Sequence, residues 1–387
     1  MKIIKKGLSI FFFIIMLFPL TLSILSIVFP IDETDYPAST KIFNIISFSS
    51  ITIVCFLVAK YLGENLGVQT LKITMLGASR VGKTTLLTSI YDQFDKIIGS
   101  TNFQLTPDNT SRSILDKRLE ELKSFVGEIS IKVEKGIGGT GDSRKFIFDL
   151  SQTGKKASSL RLEFQDFPGG YIELPQSREE YVKTYLKESA VVLIAIDASA
   201  LMEQEGRWHE DVNKPETVRK LFTEVYRDLN SPRLVILAPV KCEKYVKNDR
   251  NASELLRRIK ERYAALLDFF RSDALLDKIA VVVTPVQTVG SVEFSRVEKE
   301  NNEYYFYYRK CDSIDDPYQP KDTEQPLRYI LRFLLKIHMT EREVPVVDTF
   351  FLNKDKALKQ AIDEFGSGCK NTGGFSVLQG AGLLRIT

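Results

Sequence analysis

Two uncharged apolar runs lie near the start of the chain, and neither has a polar face. The first covers residues 8–29 and the second covers residues 42–59. At about 1.5 Å of rise per residue, a helix formed by the first run would be roughly 33 Å long, which is enough to cross a bilayer. The pattern predicts a membrane hairpin in residues 1–66, with spans at about 8–29 and 42–62.

Lysines flank the two runs unequally. Lys2, Lys5 and Lys6 precede the first run and Lys60 and Lys72 follow the second, whereas the link between them has one lysine beside three acids. The excess of positive charge on cytoplasmic segments predicts that both ends of the hairpin lie in the cytoplasm. We therefore expect a multi-pass protein of the cell inner membrane with a cytoplasmic domain. A secretory signal peptide is the alternative, although its apolar stretch would be unusually long and a second run follows it.

From residue 67 to about 340 the pattern is that of an α/β domain, in which strand-like runs alternate with helical stripes. Two runs, KFIFDL and LRLEFQ, alternate apolar with polar residues around a polar turn and predict an antiparallel hairpin. Three others, which begin at Val191, Leu234 and Ile279, are continuously apolar, as buried parallel strands are. We predict a three-layer αβα sandwich with a mostly parallel sheet and one antiparallel edge strand, preceded by the two transmembrane helices.

A glycine-rich turn joins the strand-like run LKITML to a helical pattern. It fits G-x-x-x-x-G-K-[ST], in which backbone N–H groups surround a β-phosphate at a helix N-terminus, and so predicts a P-loop NTPase fold. Lys83 is predicted to act in catalysis by bridging the β- and γ-phosphates, and the Thr84 hydroxyl is predicted to bind Mg²⁺. The residues of this turn predicted to contact the nucleotide are Gly77, Ser79, Arg80, Val81, Gly82, Lys83, Thr84 and Thr85.

The run LRLEFQ ends in DFPGG, which contains the pattern D-x-x-G. Asp166 would hold the metal ion through water, and the Gly169 amide would meet the γ-phosphate. The pattern is common by itself, but here it ends a strand that follows a phosphate-binding loop. That context makes it the predicted second half of the phosphate and metal site.

These motifs make residues 71–339 resemble the Ras-like, translation-factor-related (TRAFAC) class of P-loop GTPases. The resemblance implies GTP or GDP as the ligand with Mg²⁺, and hydrolysis of GTP to GDP and phosphate by a nucleotide-dependent switch. It also implies a catalytic and metal-binding threonine, placed before the hairpin, that closes over Mg²⁺ and the γ-phosphate. Thr140 stands at that place, with Thr101, Thr106 and Thr110 as alternatives.

Many members of this class place a water-positioning glutamine directly after D-x-x-G, where this chain has Gly170. The resemblance therefore leaves the water-positioning residue unassigned, and it implies slow hydrolysis unless a partner completes the site. Arg80 could act in cis as an arginine finger, or it could simply be solvated.

Base recognition is implied by residues that follow two later strands. The class carries N/T-K-x-D, with a lysine along the base and an acid that binds guanine, and residues 240–243 of this chain are V-K-C-E. The resemblance assigns these roles to Lys241 and Glu243, and it assigns Val286 to the loop whose amide meets the guanine carbonyl. Val240 lacks the side chain that braces the phosphate loop in the class, so ATP is the alternative nucleotide.

Two insertions, at about residues 97–139 and 291–325, interrupt the predicted domain, and an extension follows at 341–387. The first insertion has an apolar helical stripe and could report the nucleotide state or serve as a structural lid, whereas NEYYFYYRK in the second predicts a hairpin.

The motifs D-F-P-G-G, V-K-C-E and T-P-V-Q, with the second insertion, resemble the bacterial double-GTPase families. That resemblance implies a protein partner, either an activator or a second GTPase, within a conflict or defence system. The extension is expected to dock a partner or to lack order.

Composition and charge exclude other classes. The chain has 53 Lys and Arg residues against 50 Asp and Glu residues, and its formal charge of +3 gives no field suited to a phosphate backbone. No nucleic-acid partner is therefore expected. Four scattered cysteines and two histidines form no cluster with zinc-site spacing. The alternatives to a GTPase are a P-loop ATPase that does mechanical or transport work and a nucleotide-binding module with little hydrolysis.

Overall fold

The computed structural model describes residues 70–99, 101, 103–128, 134–135, 143–153, 158–169, 176–300, 303–311, 313, 315–340 and 352–384. They belong to one compact unit, Gln69–Thr387. The predicted membrane hairpin, Thr140 and Gly170 lie outside the described residues. Within the described part of the chain, no helix combines the length and the apolar character that a membrane span needs.

Among the described residues, eight strands form the central sheet and three form a smaller one. In chain order the strands are β1 (Thr70–Leu76), β2 (Phe103–Pro107), β3 (Glu134–Lys135), β4 (Arg144–Gln152), β5 (Ser158–Asp166), β6 (Val191–Asp197), β7 (Arg233–Val240), β8 (Ile279–Val283), β9 (Val292–Glu300), β10 (Glu303–Lys310) and β11 (Ser376–Gln379). The central sheet has the order β11-β8-β7-β6-β1-β5-β4-β2, and the smaller sheet has the order β3-β10-β9.

Helices connect these strands. In chain order they are α1 (Lys83–Asp92), α2 (Phe94–Ile98), α3 (Asn109–Glu128), α4 (Gln176–Glu188), α5 (Ala198–Met202), α6 (His209–Asn213), α7 (Pro215–Val225), α8 (Asp249–Arg262), α9 (Ala264–Phe270), α10 (Glu324–Thr340), α11 (Leu352–Ser367) and α12 (Ala381–Leu384). A short 3₁₀ helix, Glu203–Gly206, follows α5.

The chain has an α/β fold with a mostly parallel sheet. Strands β5, β1, β6, β7 and β8 are parallel neighbours. The expectation of one antiparallel edge strand is wrong, because β4 lies antiparallel to β5, β2 antiparallel to β4, and β11 antiparallel to β8. Strands β2 and β11 escaped prediction because five and four residues are too few for a clear periodicity.

Helices cover both faces of the central sheet. Strand β6 is buried along its whole length, so both of its faces pack against other elements. Leu193 belongs to an apolar cluster that includes residues of α1, α10 and α11. Its neighbours Val192 and Ile194 belong to a second cluster with residues of α4, α7, α8 and α9. This alternation gives the three layers that were predicted, because successive strand residues point to opposite faces.

The C-terminal extension is part of this core. Phe365 of α11 is fully buried in the same cluster as α10, and Tyr329 of α10 donates a hydrogen bond to the Lys370 carbonyl at 2.8 Å. Gln325 binds the backbone on both sides of Cys369, donating to the Gly368 carbonyl at 3.0 Å and accepting from the Lys370 amide at 2.8 Å. Within residues 352–384, the extension therefore completes the fold instead of hanging from it.

The two insertions meet in the smaller sheet. Strands β9 and β10 form the hairpin expected from NEYYFYYRK. Strand β3, from the first insertion, pairs with Tyr307 and Tyr308 of β10. Two segments separated by more than 150 residues therefore form one structure, at the carboxyl ends of the central strands where the phosphate loop also lies.

Candidate functional site

The phosphate loop, residues 77–82, joins the end of β1 to the start of α1. Gly77 has a φ of 143° and Gly82 a φ of 109°, values that glycine adopts without strain. A Cβ atom at Gly77 would lie 2.8 Å from the Ala195 carbonyl oxygen of β6. The loop therefore needs glycine at both positions, as the sequence pattern requires.

The Lys83 side chain folds back onto the phosphate loop and bonds to its backbone. Its Nζ atom donates hydrogen bonds to the carbonyl oxygens of Gly77 at 2.8 Å and Ala78 at 3.0 Å. The side chain is buried, and burial lowers the pKa of this lysine while the nearby Asp166 carboxylate opposes that effect. Lys83 thus places a positive charge at the N-terminus of α1, where helix geometry already favours anions.

Thr84 and Asp166, the predicted metal contacts, are brought together. The Thr84 hydroxyl donates to Asp166 Oδ2 at 2.5 Å. Asp166 Oδ1 is buried and has no hydrogen-bond partner among the described residues. Burial raises the pKa of Asp166, and the charge of Lys83 and the Thr84 hydrogen bond oppose the rise. A hydroxyl oxygen beside a carboxylate oxygen without a partner fits Mg²⁺, which prefers oxygen ligands.

The rest of a metal coordination sphere would have to come from elsewhere. The described residues contain no group of three or more His, Cys, Asp or Glu side chains able to hold a metal ion. Mg²⁺ is commonly held by one or two protein oxygens together with substrate phosphates and water. The donor set at Thr84 and Asp166 is of that kind.

Gly169 of the D-x-x-G turn lies directly on the phosphate loop. A Cβ atom at this position would lie 1.8 Å from the Ser79 amide nitrogen and 2.2 Å from the Ala78 carbonyl carbon. No side chain fits between the two backbones. The structure therefore brings the predicted γ-phosphate contact to the mouth of the loop.

Lys241 links the loop after β7 to the phosphate loop. Its Nζ atom donates to Asp197 Oδ2 at 2.5 Å and to the Arg80 carbonyl oxygen at 3.2 Å. Burial lowers the pKa of Lys241, but Asp197 and Tyr308 together outweigh that effect, and the pKa lies above its ordinary value. The brace that Val240 cannot supply is thus made by the next residue.

Asp197 was not predicted from the sequence. It ends β6 and is 1% exposed. The Asn213 side chain accepts from the Asp197 amide at 2.7 Å and donates to its carbonyl oxygen at 3.1 Å, and Asp197 Oδ1 accepts from the Ala200 amide at 3.0 Å. The sequence signal that could have identified Asp197 is an acidic residue at the carboxyl end of a buried strand, because ligands of α/β sheets bind at that edge.

Glu243 lines a cavity together with Lys83, Thr84 and Lys241, and backbone amides hold its carboxylate. Its Oε1 atom accepts from the amides of Val289 at 2.9 Å and Gly290 at 3.1 Å. Burial raises the pKa of this carboxyl group, and the two amides oppose the rise. Glu243 therefore fixes the loop after β8 with one oxygen.

Val286 is not brought to the cavity, which corrects its assignment to base recognition. The side chain is fully buried in the core, and its amide donates to the Pro239 carbonyl oxygen at 2.8 Å. Thr288 and Val289, farther along the loop, line the cavity instead. The sequence assigned the guanine contact to a residue that lies too near the end of β8. Backbone pairing with β7 continues beyond β8, and the Val286 amide takes part in that pairing.

The cavity has a volume of about 350 Å³, and Lys83, Thr84, Gly169, Lys241 and Glu243 line it. This volume lies in the range of small-molecule sites. The insertions supply residues to it that were not predicted as ligands, and the clearest signal for them was the run of aromatic residues in NEYYFYYRK. The lining residues supplied by α3 and the β9–β10 hairpin are Arg118, Glu121, Leu122, Phe125, Val292, Tyr304, Tyr305, Phe306 and Tyr308.

The other predicted loop residues divide into two groups. Ser79, Arg80 and Thr85 line the cavity. Val81 does not line it, because its side chain is fully buried with Ala78 and Ala195 beneath the loop. The loop therefore offers the side chain of Val81 to the core and only its backbone to a ligand.

Arg80 is exposed, and it also contacts an aromatic ring. Its guanidinium carbon lies 5.2 Å from the centre of the Tyr305 ring, a cation–π distance. The contact joins the phosphate loop to β10.

No family model and no curated protein matches the chain. Among solved structures it is similar to Era in complex with MgGDPNP and nucleotides 1506–1542 of 16S ribosomal RNA, at 15% identity and a TM-score of 0.27 over 72% of this chain and 70% of that one. It is also similar to the S. cerevisiae Ski7 GTPase-like domain bound to GTP, at 14% identity and a TM-score of 0.33 over 58% of this chain and 44% of that one.

A third similar structure is Methanosarcina barkeri Roco2 RocCORdC bound to GDP, at 12% identity and a TM-score of 0.23 over 57% of this chain and 44% of that one. This chain thus spans less than half the length of the Ski7 and Roco2 structures. Because all three TM-scores are below 0.5, the fold assignment rests on the strand order and the phosphate loop. On those grounds the chain has an α/β fold with a P-loop at the carboxyl edge of a mostly parallel sheet.

Proposed function

We propose that this chain binds GTP with Mg²⁺ and hydrolyses it to GDP and phosphate as a nucleotide-dependent switch. The observation that carries the proposal is that Lys83 and Thr84 line one cavity together with Lys241 and Glu243, and that Thr84 is hydrogen-bonded to Asp166. The proposed phosphate site and the proposed base site are therefore parts of one cavity. The neighbouring strands β1, β6 and β7 set the distance between the two sites.

The chemistry would be in-line attack of water on the γ-phosphorus, which forms a P–O bond to water as the bond to the β–γ bridging oxygen breaks. Lys83 and the loop amides would stabilise the charge that develops on the phosphate oxygens. Thr84 and Asp166 would hold Mg²⁺, which when bound neutralises charge on the β- and γ-oxygens. Thr140 is the proposed switch threonine.

A nucleotide-binding module with little hydrolysis is the second candidate. The specific observation is that, in the described part of the chain, neither glutamine nor histidine lines the cavity. We propose that a partner supplies the residue that orients the attacking water. The motif resemblance to double-GTPase families makes a second GTPase or an activator the proposed partner, in a conflict or defence setting.

We further propose that the two apolar runs of residues 1–66 anchor the protein in the inner membrane, with the nucleotide-binding domain in the cytoplasm. The unequal distribution of lysines around the runs supports this orientation.

Nucleotide affinity tests the central proposal. Purified full-length protein with Mg²⁺ would be titrated with GTP, GDP and ATP, alongside Lys83→Ala and Glu243→Gln. Glu243→Gln keeps an acceptor oxygen for the Val289 and Gly290 amides but loses the charge that recognises guanine. We expect tight binding of guanine nucleotides, loss of GTP binding in Lys83→Ala, and at least about tenfold weaker guanine binding with unchanged ATP binding in Glu243→Gln.

Equal binding of ATP and GTP, with no effect of Glu243→Gln, would contradict guanine recognition and favour the ATPase alternative. Single-turnover hydrolysis in the same samples separates a GTPase from a binding module.

A further inference from the structure

Strand β10 places aromatic rings over two cationic residues of the candidate site, Arg80 and Lys241. The Tyr305 ring lies 5.2 Å from the Arg80 guanidinium carbon. The rings of Phe306 and Tyr308 lie 5.8 Å and 5.6 Å from Lys241 Nζ. The hairpin of the second insertion therefore contacts the phosphate loop and the loop after β7 at once.

Phe306 is placed to meet a planar ligand next to Lys241. It is partly exposed, whereas Tyr308 is buried, and it lines the cavity with Lys241 and Glu243. Two aromatic neighbours fix its position, because its ring lies 6.3 Å from Trp208 in an edge-to-face arrangement and 6.1 Å from Phe294. A supported ring that faces a cavity offers a fixed surface for stacking.

We propose that Phe306 forms one wall of the base site, so that the base of the nucleotide stacks on its ring next to Lys241. This assignment rests on the proposed function and deepens it, because it makes the insertion hairpin a nucleotide-binding element. Phe306 then contributes to affinity through the base alone, while the phosphate loop contributes through the phosphates.

Two ligands distinguish these contributions. GDP has both a base and phosphates, whereas inorganic tripolyphosphate has phosphates only. Purified full-length protein and its Phe306→Ala variant would be titrated with each ligand in the presence of Mg²⁺. We expect GDP affinity to fall about tenfold to a hundredfold in Phe306→Ala, and tripolyphosphate affinity to stay unchanged.

Tyr307→Ala is the matched control. Tyr307 lies on the same strand, but its ring faces Arg296 at 4.8 Å and does not line the cavity. We expect this variant to bind both ligands like the wild-type protein. Equal losses of GDP affinity in both variants would overturn the assignment, because the hairpin would then act only through its general stability.

Trp208 supplies a second readout. It is the only tryptophan of the chain, and it packs edge-to-face against the Phe306 ring. GDP is expected to change its fluorescence emission, whereas tripolyphosphate is not. An emission change of equal size with tripolyphosphate would count against stacking.

The outcomes separate this inference from the function on which it rests. If wild-type protein binds neither ligand, the proposed function fails and this assignment fails with it. If wild-type protein binds GDP and Phe306→Ala binds it equally well, only the stacking role of Phe306 is overturned. If Phe306→Ala loses both ligands equally, the ring shapes the phosphate loop and the base does not stack on it.

Discussion

At the scale of single residues, the site depends on close contacts, and each of them can be made by only one kind of side chain. Lys83 donates a hydrogen bond to the Gly77 carbonyl oxygen of the phosphate loop. The Thr84 hydroxyl, at the start of α1, donates to Asp166 at the end of β5. These contacts were predictable because each motif is one continuous stretch of sequence, and the strands that lead into the two motifs, β1 and β5, are neighbours in the sheet. Asp197 was missed because its importance arises from Lys241, which lies 44 residues away.

Gly169→Ala tests the closest of these approaches. Its Cβ atom would overlap the backbone of Ser79, so the D-x-x-G turn must move away from the phosphate loop. We expect at least about tenfold weaker GTP binding, and a smaller loss for GDP, since the Gly169 amide is the proposed γ-phosphate contact. Titration with both nucleotides measures the difference.

Gly127→Ala provides the control for that experiment. Gly127 lies near the end of α3, and a Cβ atom there would meet nothing within 4 Å. Alanine in place of glycine inside a helix is neutral or stabilises by up to about 1 kcal/mol. Equal GTP affinity in Gly169→Ala and Gly127→Ala would contradict the proposed role of the turn.

At the scale of elements, helix α6 holds the end of β6 in place. Asn213 binds the Asp197 backbone, and its side-chain amide also lies 3.0 Å from His209 Nδ1. His209 is fully buried, and burial, helped by the charge of Arg262, lowers its pKa to about 4. In the folded protein His209 is therefore neutral at neutral pH.

This histidine predicts a pH-dependent stability. Because its pKa is lower in the folded state than the unperturbed value of about 6.5, the unfolded chain takes up a proton first as the pH falls. The stabilisation is complete above pH 6.5 and is lost progressively toward pH 4. We expect the free energy of unfolding to fall by up to about 2 kcal/mol between pH 7.5 and pH 5 from this group alone.

Denaturant unfolding of wild-type protein and His209→Gln at both pH values isolates the effect. Glutamine can still accept the hydrogen bond from Asn213 but does not titrate. The pH dependence should be smaller in His209→Gln by about the amount stated. An identical pH dependence in the two proteins would show that His209 is not buried in its neutral form.

At the scale of the whole molecule, the parts predicted correctly are those that the chain specifies locally. The parallel strands, the phosphate loop and the D-x-x-G turn follow from runs of fewer than ten residues. Val286 was misplaced, and β11 and the β3–β10 pairing were not foreseen, because these depend on contacts between distant segments. Periodicity carries no information about which distant strand will pair with which.

Removing β11 and α12 tests whether the extension belongs to the domain. Truncation after residue 374 removes the strand that covers β8 and the buried side chains of Phe375 and Leu384. We expect the free energy of unfolding to fall by about 3 kcal/mol or more, measured by denaturant titration. Truncation after Leu384 is the control and should leave the stability unchanged. Equal stability of the two truncated proteins would show that β11 is dispensable.

The pairing of β11 with β8 also affects how the protein is made. Strand β8 is complete once Val283 has been synthesised, but its outer partner begins only at Ser376. A nascent chain therefore carries IAVVV as an open sheet edge while the ribosome adds roughly ninety further residues. Apolar edges of this kind recruit other strands. We expect the chain to depend on chaperones during that interval, although the finished domain covers the same edge with its own backbone.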